Sequence, residues 1–447
     1  MKKEGNLLGL KSCIGILVGG MIGSAIFSLT GLTILNAGAS ALLSWSIAAV
    51  MMLGYGLIVA ELATIYPKSG GVYVFPAKSL GTKEETGKFW GWISAWGFII
   101  SNIVAVAFSA IYVGIYLGVG FPVFENNQVI IAVVSILLVL AINIMKLSTM
   151  KKIDVIMVIF LIITLATYAI VSLTSSSWDS SMLVPFFTQG EMGSTGFLTS
   201  VPTAMVGYGS IVTISFMVSK VKNPKKNVPK SAVISMGIVF LLYFLVILAT
   251  VGMISSQYLK DNPGMQFIPL YAVAFTKLTA LPWFSKLISI SAVLALLTTM
   301  IAVMAVTSTA IVAVSGKDGI LPNKLSAKNK NGTNIYAVLL VAIISLVISC
   351  FPSLVTNLVE FAALFAAVTI VINCISLIQA RKKNEYKEGS FRVFGKSFVP
   401  ILIMILIVIC YIPDIIKGGW QLWAYTIAWY IVGIVMYILR VRKKNQV

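Results

Sequence analysis

Long apolar runs separated by short polar connections occupy almost the whole chain. Each run holds about 18 to 30 mostly apolar residues, enough for a helix that crosses the hydrocarbon core of a bilayer. The connections are too short to bury a core of their own. The pattern therefore predicts an all-α membrane protein with about twelve spans, numbered 1 to 12, near residues 9–36, 39–66, 88–119, 128–145, 153–173, 197–219, 231–255, 283–314, 335–351, 354–379, 397–416 and 420–440.

The basic residues alternate from one connection to the next. All but four of the 33 lysines and arginines fall in the two tails and in every second connection; the four exceptions are Lys260, Lys277, Lys286 and Lys417. Connections on the cytoplasmic side of a membrane protein carry an excess of Lys and Arg. The alternation supports twelve spans and predicts a multi-pass protein of the cytoplasmic membrane with both termini in the cytoplasm.

Composition excludes several other classes of protein. Hydrophobic residues make up 59% of the chain and charged residues 11%, with a mean hydropathy of +0.99, whereas soluble domains are about one quarter charged. The net charge of +19 is spread over many connections, not gathered on one surface as a nucleic-acid partner would require. Lipid is the expected partner instead.

The chain also lacks the residues of a metal site or a catalytic centre. It has no histidine, and its cysteines lie in apolar runs without CxxC spacing: Cys13, Cys350, Cys374 and Cys410. This excludes a Cys/His zinc site and a histidine general base. We expect no metal, no cofactor and no enzymatic activity, because the spans contain no nucleophile–base constellation.

Span 1 contains the glycine-rich stretch GILVGGMIGSAIF, residues 15–27. Gly15, Gly19 and Gly23 recur every four residues, a spacing that lets a second helix approach closely. Alternatively, the helix is broken at residues 20–25. Unpaired N–H groups at such a break would face an anionic ligand. This stretch alone favours neither interpretation.

Span 6 favours the broken-helix interpretation. It reads SVPTAMVGYGSIVTISF, residues 200–216, with Gly207 and Gly209 inside an apolar run. Each glycine in a helix costs about 1 kcal/mol relative to alanine. Spans 1 and 6 are five spans apart, so the second unit begins from the opposite side of the membrane. Paired interruptions in inverted repeats indicate a binding site at the membrane midplane.

Three polar residues within the spans are candidates for function. Glu61, near the inner end of span 2, is either an interfacial acid paired with nearby lysines or part of an inner gate or proton path. Glu360, about two turns into span 10, is either functional or extends to the outer surface. Asn102 in span 3 either bonds a neighbouring helix or lines a pocket.

Four motifs resemble those of the amino acid–polyamine–organocation (APC) transporter superfamily. GGMIGSAIF in span 1 is similar to its first-helix signature. The connections after spans 2, 6 and 8 carry the other three, which cover most of the chain in the right order: ELATIYPKSGGVYVFPAKSLG (61–81), KVKNPKKNVPKS (220–231) and GKDGILPNKL (316–325).

The resemblance implies one transporter domain, residues 1–447, with a five-plus-five inverted-repeat (LeuT-like) fold. The first repeat would cover about 9–173, the second about 197–379, and spans 11 and 12 (about 397–440) would lie outside. It further implies alternating access around a site between spans 1, 3, 6, 8 and 10.

The resemblance also implies which residues bind a substrate. N–H groups next to Gly23 would bind an α-carboxylate, and main-chain carbonyls at Met21 and in span 6 would receive an α-ammonium group. Asn102 and Met304 would contribute side chains. The main-chain positions concerned are Ser24, Ala25 and Ile26 in span 1, and Gly207, Tyr208, Gly209, Ser210 and Ile211 in span 6.

Departures from the family pattern bear on the mechanism. Span 6 has no acid between Thr203 and Lys220, and Tyr208 is its one candidate for an aromatic gate. Span 5 has no mid-span lysine. We therefore expect exchange or uniport of a small molecule, an amino acid, in preference to proton coupling. The alternatives are an antiporter for polyamines or decarboxylation products, which would use Glu360, and an amino acid sensor that does not transport. Substrate identity, coupling ion and oligomeric state are not defined by the sequence.

Overall fold

The computed structural model describes residues 7–68, 70–145, 147–316, 319–330, 332–386, 390–416 and 420–445. Lys417 and the first six residues, used in the charge pattern above, lie outside this part of the chain. Within it the helices are α1 Leu10–Met21, α2 Ser24–Ser28, α3 Thr30–Ala37, α4 Ala41–Ile65, α5 Gly71–Ser79, α6 Glu84–Gly120, α7 Gln128–Ile144, α8 Leu147–Leu173, α9 Gly196–Val206, α10 Thr213–Phe216, α11 Pro224–Val251, α12 Ser256–Asp261, α13 Pro269–Thr276, α14 Pro282–Ala313, α15 Ile335–Ser349, α16 Val355–Lys382, α17 Phe398–Ile416 and α18 Trp420–Asn445.

All twelve predicted apolar runs are helical. Across the described ranges, nine helical segments are long and apolar enough to cross a membrane, and a bent pair, Gly193–Val206 with Gly209–Phe216, makes a tenth. Two shorter apolar helices, Ile335–Ser349 and Phe398–Pro413, correspond to predicted spans 9 and 11. The protein is thus an all-helical, multi-pass membrane protein, and the count of twelve spans stays a prediction.

Helix α6 is the centre of the bundle and packs against α5, α7, α14 and α16. Glycines allow its close contacts. A Cβ atom on Gly114 would lie 2.6 Å from the carbonyl oxygen of Gln128, and one on Gly91 would lie 2.8 Å from the carbonyl oxygen of Tyr73. Small residues at helix interfaces are the usual means of close packing in membranes.

The basic connections meet at one end of the bundle, which we call the tail end. The N–H group of Leu8 donates to the carbonyl of Lys220 at 2.8 Å, and Lys383 Nζ donates to the carbonyl of Gly81 at 3.0 Å. Arg440 Nε donates to the carbonyl of Gly319 at 3.1 Å. Each of the three contacts joins two different basic connections or tails. The six of them therefore lie at one end of the bundle, as expected if they share one side of a membrane.

The opposite end, called the loop end, is covered by the connection that contains α12 and α13. Ser256 Oγ donates to the carbonyl of Gln189, and the main chain of Gln266 packs directly on Gly31 in α3. A Cβ atom on Gly31 would lie 2.1 Å from the Gln266 carbonyl oxygen. This connection therefore lies against the second half of span 1.

Candidate functional site

Span 1 is interrupted between α1 and α2. Helix α1 ends at Met21, and the next two residues leave helical geometry, with φ/ψ of −74°/83° at Ile22 and −140°/−143° at Gly23. A Cβ atom on Gly23 would lie 2.0 Å from Oγ1 of Thr299 in α14. Glycine is needed here because no side chain fits between the break and α14.

Span 6 is interrupted in the same way. Helix α9 ends at Val206, a 3₁₀ turn covers Gly209–Val212, and α10 follows with a bend of 48°. A Cβ atom on Gly207 would lie 2.8 Å from the indole ring of Trp45, so the first glycine of the break is also required by packing. Nothing lies within 4 Å of the corresponding position on Gly209.

The two breaks touch each other and line one cavity. A Cβ atom on Gly20 would lie 2.9 Å from Cβ of Ser210. The cavity has a volume of about 220 Å³ and is lined by residues of spans 1, 3, 6, 8 and 10, with smaller contributions from spans 2 and 11. The predicted site residues that line it are Met21, Gly23, Ser24, Ala25, Asn102, Gly207, Gly209 and Ser210.

Four other predicted site residues do not line the cavity. The side chains of Ile26, Tyr208, Ile211 and Met304 are buried in the surrounding protein. The expectation for Met304 needs correction: Ala302, Val303 and Val306 line the cavity from α14, and Met304 lies about 100° further round the helix than Val303. Ile26 and Ile211 can contribute main-chain groups alone.

Tyr208 is not placed to gate the cavity. Its ring packs edge-on against Trp45, with ring centroids 5.9 Å apart, and lies 5.5 Å from the ring of Tyr243. This buried aromatic cluster packs against the break and does not line the cavity. The suggested role of Tyr208 as an aromatic gate is therefore wrong for this arrangement.

Helix ends of opposite polarity face each other at the breaks. Helices α1 and α9 end there with their carbonyl groups, and α2 and the 3₁₀ turn begin there with N–H groups that have no helical acceptor. The N–H of Ser24 donates to Thr299 Oγ1 at 2.9 Å, and Thr299 in turn donates to the carbonyl of Ala295 at 2.9 Å. Thus Ala25 and Ile26 carry the remaining N–H groups at the start of α2.

The carbonyl of Met21 already has two donors. It accepts a hydrogen bond from the N–H of Gly23 at 2.8 Å and another from the hydroxyl of Tyr243 in α11. A carbonyl oxygen has two lone pairs, so both are used. The expectation that Met21 receives an ammonium group is therefore corrected: Met21 borders the cavity, but its carbonyl stabilises the break.

Thr299 and Tyr243 were missed as site residues. Both are polar groups inside apolar spans, and polar side chains there usually bond another helix. That signal marks them as important, but it does not name their partners. Asn102 lines the cavity, and its Nδ2 donates to the carbonyl of Phe98 on the same helix at 2.7 Å, so it is a pocket residue.

Glu61 is the centre of a buried polar network at the tail end. Its side chain has 0% exposure. Arg381 donates to it from Nη2 at 2.5 Å and from Nε at 2.8 Å, the N–H of Val393 donates at 2.7 Å, and the hydroxyl of Tyr386 donates as well. The partner is Arg381, not the nearby lysines that the sequence suggested, because the fold brings the end of span 10 against span 2.

Glu360 is exposed and does not line the cavity. Of its two interpretations, the position agrees with a side chain that extends to the surface of the bundle. A role as an acid within the substrate pocket is not compatible with this geometry.

Aromatic residues pack against span 1 on the loop-end side of its break. Tyr116 donates to the carbonyl of Phe27 at 2.6 Å, and Tyr112 donates to that of Ser28 at 3.2 Å, so both rings pack against the second half of span 1. At the tail end, Phe216 lines the cavity. Its ring lies 5.5 Å from that of Phe98 and 6.3 Å from that of Phe75.

An all-helical membrane protein with two broken helices around a central cavity has the architecture of a membrane transporter. The chain matches the amino acid permease family over residues 8–437 and belongs to it. The resemblance to the APC superfamily is thereby confirmed.

Three relatives illustrate the range of this family. The branched-chain amino acid permease BcaP of Bacillus subtilis is 27% identical, covering 96% of this chain and 91% of the relative. The methylthioribose transporter of the same organism is also 27% identical, covering 96% and 92%. Its serine/threonine exchanger SteT is 22% identical, covering 58% and 56%. Membership of the amino acid permease family makes amino acid transport across a membrane the general function.

Proposed function

We infer that this protein exchanges amino acids across the cytoplasmic membrane by alternating access, with one substrate molecule held between the two helix breaks. The observation that carries this is the contact between the breaks, where a cavity of about 220 Å³ adjoins Ser24, Ala25, Gly207 and Ser210. Helix ends of both polarities meet there, which suits a zwitterion.

The substrate carboxylate is proposed to accept hydrogen bonds from the N–H groups of Ala25 and Ile26. The N–H of Ser24 takes part only if Thr299 releases it, since that hydroxyl is its present acceptor. The ammonium group would bind carbonyls of the span 6 break, from Gly207 onward. Asn102 would contact the substrate from α6.

Alternating access would use aromatic residues that lie on the two sides of the breaks. We assign the tail end to the cytoplasm, from its basic connections, so both termini are cytoplasmic. Tyr112 and Tyr116 would then close the outer side, and Phe216 with Phe75 the inner side. The Glu61–Arg381 ion pair would act as a tether between spans 2 and 10. Spans 1–5 and 6–10 would form the two inverted repeats, each beginning with a broken helix.

Exchange is favoured over proton coupling because no Asp, Glu, Lys or Arg lines the cavity within the described part of the chain. The same observation disfavours an antiporter for polyamines, which would need an acid near the substrate. An amino acid sensor would bind without any flux across the membrane.

Counterflow into liposomes tests the proposal. Purified protein is reconstituted, the liposomes are preloaded with one unlabelled compound, and uptake of the labelled compound is followed. A panel of the twenty amino acids, putrescine and methylthioribose is compared with protein-free liposomes. Accumulation of an amino acid only after preloading is expected. Binding without uptake, or uptake of putrescine or methylthioribose alone, would refute amino acid exchange.

A further inference from the structure

Alanines from spans 3, 8 and 10 line part of the cavity wall. Ala105 on α6, Ala302 on α14 and Ala366 on α16 each line the cavity and are half-buried, so their methyl groups are accessible from it. Three further alanines of α16 also line the cavity: Ala362, Ala363 and Ala367. This wall, which we call the alanine wall, leaves room beside the main-chain groups of the breaks.

Hydroxyl groups near the alanine wall are engaged by main-chain carbonyls. Ser101 Oγ donates to the carbonyl of Ala362 at 2.8 Å, and Thr369 Oγ1 donates to that of Phe365 at 3.1 Å. Each of these side chains lines the cavity, but its proton is already used. The wall therefore offers few donors to a polar group on a ligand.

The absence of Asp, Glu, Lys and Arg side chains from the cavity lining, in the ranges that the structure describes, limits which ligands it can hold. A charged side chain placed against the alanine wall, away from the main-chain groups of the breaks, would lose its hydration without gaining a partner. An apolar group would gain from the transfer, in proportion to the area it buries. Pockets for drug-sized ligands measure roughly 300–1,000 Å³, so a cavity of about 220 Å³ suits one free amino acid and not a peptide.

We propose that the substrate is a neutral amino acid with an aliphatic side chain, and that Ala105, Ala302 and Ala366 set the size limit of that side chain. This assignment rests on the proposed function, since it assumes that the zwitterionic part of the substrate lies at the breaks. The alanine wall then receives the side chain.

Competition against labelled leucine in the counterflow assay tests the charge preference. Valine, isoleucine and leucine are expected to compete, whereas lysine, arginine, aspartate and glutamate at the same concentration are not. Alanine should compete about 10-fold less well than leucine, since it leaves the wall unfilled. Competition by a charged amino acid as strong as that by valine would overturn the assignment. No counterflow of any amino acid would instead refute the proposed function.

Substitutions in the alanine wall test the size limit. In Ala366→Phe, we expect unlabelled leucine to compete at least about 10-fold less well, relative to unlabelled alanine, than it does in the wild type. The reason is that the added ring fills the space of the substrate side chain. Ala424→Phe, at an exposed position of α18, is the matched control and should keep the wild-type preference.

If gel filtration shows that Ala366→Phe does not yield folded protein, the smaller change Ala105→Val is tested instead. It should shift the preference in the same direction. If folded variants at Ala105 and Ala366 keep the wild-type ratio of leucine to alanine competition, the alanine wall does not contact the substrate side chain.

Discussion

The hydroxyl of Tyr243 donates a hydrogen bond to the main-chain carbonyl of Met21, the last residue of α1. Tyr243 belongs to span 7 and is fully buried, so this bond joins two spans at the point where one of them is interrupted. The break in span 1 would otherwise leave carbonyl groups unpaired inside the protein, at a cost. The broken helix is thus stabilised by the neighbouring span before any substrate binds.

Removing that donor should destabilise the protein. Tyr243→Phe leaves the Met21 carbonyl with one donor, and we expect a loss of about 1–3 kcal/mol in the free energy of unfolding. A thermal unfolding scan in detergent measures it. Tyr336→Phe, at an exposed position, is the control and should change the melting temperature little. Equal melting temperatures for both variants would show that the Tyr243 bond contributes nothing.

Thr299 should affect substrate binding because its hydroxyl oxygen is the hydrogen-bond acceptor of the Ser24 N–H group. Thr299→Val removes the hydroxyl, and we expect at least about a 5-fold change in the half-saturation concentration for exchange, with recovery in Thr299→Ser. The control is Thr298→Val on the same helix turn, whose hydroxyl also donates to the carbonyl of Ala295 but does not contact Ser24. A similar half-saturation concentration in both valine variants would contradict the role of Thr299.

The Glu61–Arg381 pair should contribute strongly to stability. Breaking a buried ion pair by removing one partner costs about 3–5 kcal/mol, so Glu61→Gln should lower the melting temperature markedly. Glu84→Gln removes an exposed partner of Lys88 on one helix and should cost less than about 1 kcal/mol.

A double-mutant cycle with Arg381→Gln separates the pair from its surroundings. The double variant should be less destabilised than the sum of the single variants, since neither charge is then left alone. Strict additivity would show that Glu61 and Arg381 do not act as a pair.

Gly23 should be required for the break in span 1. In Gly23→Ala the new methyl group would meet Oγ1 of Thr299 at 2.0 Å, so one of the two segments must move. We expect exchange to fall at least about 10-fold, as for other small displacements of binding groups. Gly237→Ala, at an exposed helical position with no atom within 4 Å, is the matched control. Wild-type exchange by folded Gly23→Ala protein would contradict a function of the break.

Much of the fold was predictable from local pattern. Apolar runs predict the helices, because lipid tolerates only a backbone whose polar groups are hydrogen-bonded. Gly20 and Gly23 in span 1, and Gly207 and Gly209 in span 6, marked the two interruptions. Motif resemblance gave the family, which the comparison with known proteins confirmed. Of the predicted site, the main-chain positions next to the breaks follow from where each helix ends, and their roles in substrate binding stay predictions.

Side-chain partners required the tertiary structure. Local sequence could mark Glu61 as a candidate, and the family resemblance Met21 and Met304. Whether Met304 faces the cavity depends on the rotation of α14 against its neighbours. The donors to Glu61 and to the Met21 carbonyl come from Arg381 and Tyr243, more than 200 residues away. Such pairings are decided by how the helices pack, because a hydrogen bond needs its two atoms within about 3 Å, and no pattern along the chain specifies that distance.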